Sequence, residues 1–260
     1  MKWRLGVVGY PIEHSLTPQL HEKALSLCGL RGTSERVAMP DADRNELHAL
    51  MGERFDALSV TMPLKEAAAT ICDARDAVST RTGVVNSLLW RDGHVQGACT
   101  DGRGFLDALL AQFHVTPTRM NVLVHGAGGA ARGIVDAFVH AHVGTVVIHG
   151  RTPANVERMT NAYDHVFDAD HEVDHFDLVV NTQPAHAPAP FGPEVAGVDA
   201  ETIAVDITYE PRMSTWRQSY EDLGCRSANG LGLLAYQAAL QMRWWWDLDV
   251  DGAKLLEVIA

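Results

Sequence analysis

Long hydrophobic runs are missing from this chain. No segment approaches the ~18 apolar residues of a membrane span. The apolar opening "RLGVVG" meets glycine and proline too early for a signal peptide and reads as a first β-strand. Together these absences point to a cytoplasmic protein without a membrane partner. Paired cysteines are missing as well: Cys28, Cys72, Cys99 and Cys225 are scattered, with no C-x-x-C. That excludes a zinc knuckle or disulfide framework and leaves reduced thiols. Excess positive charge is also absent, with 21 Lys and Arg against 33 Asp and Glu and a net charge of -12. Nucleic acid and anionic membranes are therefore disfavoured as main partners, since both require a cationic footprint. A small anionic ligand needs only a few local cations and hydroxyls. Among the 13 histidines, the run "DHVFDADHEVDH" lacks regular ligand spacing. It reads as a solvated loop or helix face, and no metal is expected.

What is present is a chain of 260 residues, 47% apolar, enough for one large domain or two ordinary ones with a substantial core. "PQLHEKALSLCGL" reads as a helix closed by glycine, "DALSVTMP" as the second strand, and a further helix starts at about Lys65. "GVVNSLLW" and "HVQGACT" bracket the turn "RDG" and predict a hairpin. From Asp101 the amphipathic "DGRGFLDALLAQF" can carry the chain from one domain into another. "NVLVHGAGGAARGIVDAFVHAHVGTVVIHGRT" is strand, glycine turn, helix, strand, and the further strands "DLVVNT" and "TIAVDIT" follow it. The segment "QPAHAPAPFGP" reads as a loop, because its prolines supply no sheet donors. "GLGLLAYQAALQMRWWWDL" reads as a long helix. Strands alternating with helices predict an α/β fold with a parallel sheet covered on both faces.

The glycine turn has a chemical reading. Gly126-Ala127-Gly128 and the helix start Gly129-Ala130-Ala131 form G-x-G-x-x-A directly after an apolar strand. The first glycine makes the turn, the second admits a pyrophosphate, and the small third residue lets helix and strand pack closely. The helix N-terminus offers unsatisfied N–H groups to phosphate. The other reading is a βα turn that binds nothing. The next strand ends in Gly150-Arg151-Thr152, where an NAD enzyme usually has a carboxylate. Arg151 and Thr152 suit a 2′-phosphate, which favours NADP and leaves NAD possible.

Outside this motif, four polar segments stand out. Ser15 and Thr17 place two hydroxyls before a helix, suited to a carboxylate or to ordinary N-capping. Thr61 and Lys65 follow a strand, Asn86 lies in an apolar run, and Asp101 opens a helix. Taken singly, each has a plain structural explanation. Taken together and in order, "GYPIEHSLTPQLHE", "SVTMPLKEAA", "GVVNSL", "CTDGRGF", "HGAGGAARG", "HGRT", "DITYEP" and "ANGLGLLAYQAA" resemble the shikimate dehydrogenase family over essentially the whole chain. The resemblance implies a two-domain α/β enzyme with a central cleft. Its substrate domain would be residues 1–100 completed by a C-terminal helix at 232–260, and its Rossmann-type NADP domain residues 101–231. It implies reversible, NADPH-dependent reduction of 3-dehydroshikimate to shikimate, in the pathway to chorismate and the aromatic amino acids. Lys65 and Asp101 would be the catalytic pair. Ser15 and Thr17 would hold the substrate carboxylate, Thr61, Asn86, Asp101 and Gln237 its ring hydroxyls, and Tyr209 would help close the site. Gly126 to Ala130, Arg151, Thr152 and Gly230 would line the cofactor, and the protein would be a monomer or homodimer.

The chain departs from the family pattern at several positions. Ser59, Cys99 and Gly150 replace asparagines, Asn229 replaces an aspartate, and Thr17 replaces the commoner serine. Asn155 falls where a second cation often sits, and "NTQPAH" diverges from the usual segment on the nicotinamide side. Thr at position 17 occurs in members acting on quinate, so a quinate/shikimate dehydrogenase using NAD is the alternative enzyme. A non-catalytic nucleotide-binding paralogue is the alternative outside enzymes, and the retained Lys65/Asp101 pair speaks against it. Methylene-tetrahydrofolate dehydrogenases share a two-domain plan but fit "HSLTP" and "CTDG" poorly. Cys99 reads as a packed small side chain. "WWW" at 244–246 reads as packing at the domain base or an oligomer contact.

Overall fold

The structure is a computed structural model that describes residues 2–41, 43–184 and 192–260. Most of the Pro/Ala segment at 183–193, expected as a loop, lies outside the described residues. The chain divides into two compact units, Met1–Phe105 with Leu234–Ala260, and Leu106–Leu233.

The first unit begins with β1 (Lys2–Gly9), α1 (Thr17–Leu27), β2 (Arg31–Ala38), α2 (Arg44–Leu50), β3 (Ala57–Val60) and α3 (Lys65–Ile71). It continues with β4 (Ala74–Arg75), α4 (Ala77–Thr82), β5 (Ser87–Arg91), β6 (His94–Ala98) and the start of α5 (Asp101–Phe113). Its six strands lie in the order β2-β1-β3-β5-β6-β4. β1 pairs in parallel with β2 and β3, whereas β5 is antiparallel to β3 and β6. This sheet is therefore mixed, its antiparallel part built around the predicted hairpin. The predicted hairpin is β5–β6, turned by Asp92 and Gly93 at φ 53° and 84°, the doubly left-handed geometry that favours Asp-Gly.

"DALSVTMP" supplies the third strand, not the second, because apolar patterning does not reveal β2. The β2 sequence RGTSERVA is mostly polar, yet its backbone pairs with β1 from Lys2↔Arg31 to Gly9↔Ala38. An edge strand keeps its polar side chains in solvent, so it needs no apolar alternation on that side. Residues 232–260, expected as one helix, form two: α9 (Leu231–Trp246) and α10 (Gly252–Ile259). Asp247 at φ 53° breaks the run, and the Asp251 carboxylate accepts from Ala253 N at 2.9 Å to start the next helix.

The second unit contains β7 (Asn121–His125), α6 (Gly129–His140), β8 (Thr145–His149), α7 (Pro153–Thr160) and β9 (Val166–Asp168). β10 (Leu178–Asn181), β11 (Ile203–Asp206), α8 (Thr215–Asp222) and β12 (Arg226–Ala228) complete it. All pairings in its sheet are parallel, in the order β12-β11-β10-β7-β8-β9. This is the doubly wound arrangement, and the strand order reverses between β7 and β10, where ligands of such sheets bind. The inner strands are continuously apolar and buried, as two covered faces require. The acidic, histidine-rich run is not wholly loop, since it includes the short edge strand β9.

Inside the first unit, α1 packs a histidine where a hydrophobe would be ordinary. His21 is fully buried and stands edge-on to Trp245, with ring centroids 5.3 Å apart. Burial pushes its imidazole down from 6.5 to about 3. The folded chain thus refuses a proton that the unfolded chain takes up. The resulting stability is fully present above the unfolded value and is lost as pH falls toward the folded one. Urea unfolding between about pH 7 and about pH 5 is therefore expected to lose stability with acidification. His21→Leu should flatten that slope by up to about 1.4 kcal/mol per pH unit; an unchanged slope would mean that His21 is not neutral in the folded state.

Candidate active site

Parallel strands leave their following loops at the same sheet edge, and β1 and β3 are parallel neighbours. The loop after β1 carries Ser15 and Thr17, both nearly fully buried. Neither side chain caps α1, whose N-cap is Leu16 without a side-chain bond. The Ser15 hydroxyl instead accepts from Thr17 N at 3.3 Å. Arg36 of β2 donates Nε to the Ser15 carbonyl at 2.9 Å and so pins this loop. Thr61 follows β3, donating its N–H to Val8 O at 3.0 Å and accepting from Leu64 N at 2.9 Å. That turn delivers Lys65 to the first position of α3.

Lys65 Nζ donates to Asp101 Oδ2 at 2.6 Å, and the two side chains are only 14% and 7% exposed. Further hydrogen bonds offset part of the cost of burying such a pair, and Asn86 supplies one to the carboxylate. Its Nδ2 lies 2.8 Å from Asp101 Oδ1, 3.0 Å from Thr100 Oγ1 and 3.1 Å from Gln237 Oε1. Its Oδ1 accepts from Thr100 N at 2.9 Å. Gln237 reaches this group because α5 and α9 touch at Gly104, where a Cβ would stand 2.6 Å from the Gln237 backbone. Lys65, Asp101, Asn86 and Gln237 are thus one hydrogen-bonded cluster. Ser15, Thr17 and Thr61 share no hydrogen bond with it among the described residues.

Thr100 and Gln241 carried no site signal in the sequence, and Ser59 stood out only as a departure from the family pattern. Thr100 ties Asn86 to the Gln237 carbonyl through its hydroxyl, 3.1 Å from that oxygen. Gln241 donates Nε2 to Gln237 Oε1 at 2.7 Å and to Asn86 O at 2.9 Å. Ser59 donates to Gln241 Oε1 at 2.6 Å. A second glutamine four residues after Gln237 in an otherwise apolar helix was the available clue. Beside the pair, burial pushes the Cys99 thiol well above its ordinary range. It is a packed side chain and no nucleophile.

In the second unit, the glycine turn sits at the strand-order reversal. Gly126 has φ 113°, a left-handed conformation that disfavours any side chain, and its N–H donates to His149 O at 2.8 Å. Nothing lies within 4 Å of the position a Cβ would take on Gly128. Gly128 is the N-cap of α6 and makes no side-chain cap bond, so the first N–H groups of the helix remain available. Ala127 and Ala131 are buried, and Gly129 and Ala130 begin the helix. This open cradle at a helix N-terminus fits a pyrophosphate.

Burial and the neighbouring His149 push His125, at the end of β7, down to about 3. Neutral imidazole adds no cation here, which leaves the helix N-terminus as the positive end of the turn. Arg151 and Thr152 are exposed at the end of β8, and their side chains make no hydrogen bond or ion pair among the described residues. Gly150 is explained by packing, since a Cβ would come 2.6 Å from Val156 Cγ2 and 3.1 Å from Ala127 Cβ. Asn229 precedes α9, accepting from Leu231 N at 3.2 Å and donating Nδ2 to Arg212 O at 3.2 Å, the latter a bond an aspartate carboxylate could not make. Gly230 donates to Thr208 O at 2.8 Å and packs its Cα against the Ile207 backbone, leaving no room for a side chain. Tyr209 is half-buried in this unit, two residues before Pro211.

Comparison with known proteins agrees with this architecture. The family model of the shikimate dehydrogenase substrate binding domain matches residues 7–88. A shikimate dehydrogenase (NADP(+)) from Exiguobacterium is 34% identical over 97% of this chain and 97% of its own. One from Thermus thermophilus is 31% identical over 98% and 96%. The crystal structure of a Thermus thermophilus shikimate 5-dehydrogenase, in complex with NADP(H) and shikimate, superposes with a TM-score of 0.85 at 30% identity. It covers 98% of both chains. The chain belongs to the shikimate dehydrogenase family.

Proposed function

We propose that this chain is an NADP-dependent shikimate dehydrogenase, interconverting 3-dehydroshikimate and shikimate. The observation that carries the reading is the buried Lys65–Asp101 pair, braced by Asn86 and Gln237, in a chain similar to such enzymes from end to end. The first unit holds the substrate: Ser15 and Thr17 its carboxylate, and Thr61, Asn86, Asp101 and Gln237 its ring oxygens. The second unit holds the cofactor, with Gly126 to Ala130 at the pyrophosphate, Arg151 and Thr152 at the 2′-phosphate and Gly230 also lining it, while Tyr209 belongs to the substrate-binding set. When bound, NADPH supplies the hydride for carbonyl reduction, and NADP+ accepts it in the reverse direction. The protein works on this small anionic substrate in the cytoplasm, as a monomer or homodimer.

Reduction of a ketone places negative charge on its oxygen. The Lys65 ammonium stabilises that charge and donates the proton that completes the alcohol. Asp101 Oδ2 holds Nζ in place, while Asp101 can also accept a substrate hydroxyl. In oxidation, the hydroxyl proton returns to Lys65 Nζ. Asn86 fixes the other Asp101 oxygen, so the carboxylate cannot rotate away from the ammonium. No described group of three or more His, Cys, Asp or Glu is arranged to hold a metal, and the steps assigned to these side chains use none.

Lys65→Ala is expected to lower kcat for shikimate oxidation by about a thousandfold, the worth of a general acid and charge stabiliser together. NADP+ affinity should be nearly unchanged; near-normal turnover would remove the catalytic role. Oxidation rates of shikimate and quinate, each with NADP+ and NAD+, test the assignment itself. Shikimate with NADP+ should be the fastest pair, and equal rates for both acids would defeat it. Arg151→Ala should raise the KM for NADP+ about tenfold, the cost of one charge-assisted contact, and leave the KM for NAD+ unaltered.

A further inference from the structure

The hydrogen bonds behind the site can be assigned from two backbone groups that have no choice of role. The Asn86 carbonyl only accepts, so the Gln241 atom 2.9 Å from it is the amide nitrogen. The Gln241 oxygen then faces Ser59 Oγ at 2.6 Å, and the serine hydroxyl must donate to it. Having spent its proton, Ser59 Oγ accepts from His21 Nε2, 3.1 Å away. His21 is neutral, so its Nδ1 accepts from the Ser34 hydroxyl at 2.8 Å. In the other direction, the second Gln241 amide hydrogen meets Gln237 Oε1 at 2.7 Å. Independently, Thr100 N–H fixes Asn86 Oδ1 at 2.9 Å, which turns Asn86 Nδ2 toward that same Gln237 oxygen. Two donors thus occupy Gln237 Oε1, and its amide nitrogen is left to donate, one hydrogen already reaching Leu234 O at 3.0 Å.

We infer that Ser34, His21, Ser59 and Gln241 form a one-way buried relay of hydrogen bonds that orients Gln237 and Asn86, so that Gln237 presents an amide donor to a substrate oxygen. His21, Ser59 and Gln241 are positioning residues, since none belongs to the substrate-contacting set. The relay lies within the first unit, from the edge strand β2 through α1 and β3 to α9. His21, Ser59, Asn86, Gln237 and Gln241 are all buried, so each group that loses its partner keeps the full cost of desolvation. The identity of the oriented ligand rests on the shikimate reading; the direction of the relay does not.

Two readouts separate these. In protein labelled with 15N-histidine, the His21 signal, assigned by its loss in His21→Asn, should report a proton on Nε2 and none on Nδ1. Steady-state kinetics of Ser59→Ala, Ser59→Thr and Gln241→Met give the second. Loss of the serine hydroxyl or the glutamine amide should raise the KM for shikimate about tenfold, the effect of about one hydrogen bond. The KM for NADP+ should stay within about twofold, and Ser59→Thr, which keeps the donor, should recover most of the loss. A proton on Nδ1, or a shikimate KM within about twofold of wild type in both Ser59→Ala and Gln241→Met, would overturn the relay. If those variants do not fold, the tautomer of the wild-type protein decides. A wild-type protein that does not oxidise shikimate but shows the Nε2 proton would defeat the functional reading and leave the relay standing.

Discussion

The site depends on one buried ion pair. Lys65 and Asp101 sit at 2.6 Å and are largely buried, and desolvation makes such a pair costly unless further hydrogen bonds support it. That requirement accounts for much of the surrounding chain. Asn86 takes the second carboxylate oxygen, Thr100 holds Asn86, Gln237 and Gln241 fill the far side, and Gly104 lets α9 come close enough for them to do so. Several strands and helices converge on one sheet edge to deliver these groups, because parallel β1 and β3 release their loops there. The cofactor side is built differently. The candidate cradle of the second unit uses backbone at a helix start and the absence of side chains at Gly126 and Gly128.

That contrast explains what the sequence revealed. The glycine turn was legible because it depends on the backbone: G-x-G-x-x-A after an apolar strand specifies the turn and the helix that follows. The β7–α6–β8 unit, the β5–β6 hairpin and the starts of α3 and α5 were legible for the same reason, being local patterns with strong punctuation. β2 was not, since an edge strand can be polar and still pair fully. The break between α9 and α10 was missed because apolar periodicity resumes after "DLDVD", and only Asp247's left-handed backbone and the Asp251 cap mark the interruption.

The candidate site was legible only through order. Each of Ser15, Thr17, Thr61, Lys65, Asn86 and Asp101 has an ordinary explanation alone, and the family resemblance joined them. Ser59 drew attention as a departure, while its partners His21 and Gln241 drew none. Residues that act by holding others are chosen by geometry across the fold: Ser59 and Gln241 are 182 positions apart and meet through one hydrogen bond. Departures at Gly150 and Asn229 likewise resolve into packing and hydrogen bonding, which the family pattern by itself cannot show.

The claim that the Lys65–Asp101 pair holds the site together is tested most directly by a double-mutant cycle on the stability of the whole chain. Lys65→Met, Asp101→Asn and the double variant would be compared by urea unfolding at neutral pH. Each single change should cost about 3–5 kcal/mol by stranding a buried partner. The double variant should cost less than their sum by at least about 1 kcal/mol. Costs that add to within about 0.3 kcal/mol would contradict the account, for then neither side chain depends on the other.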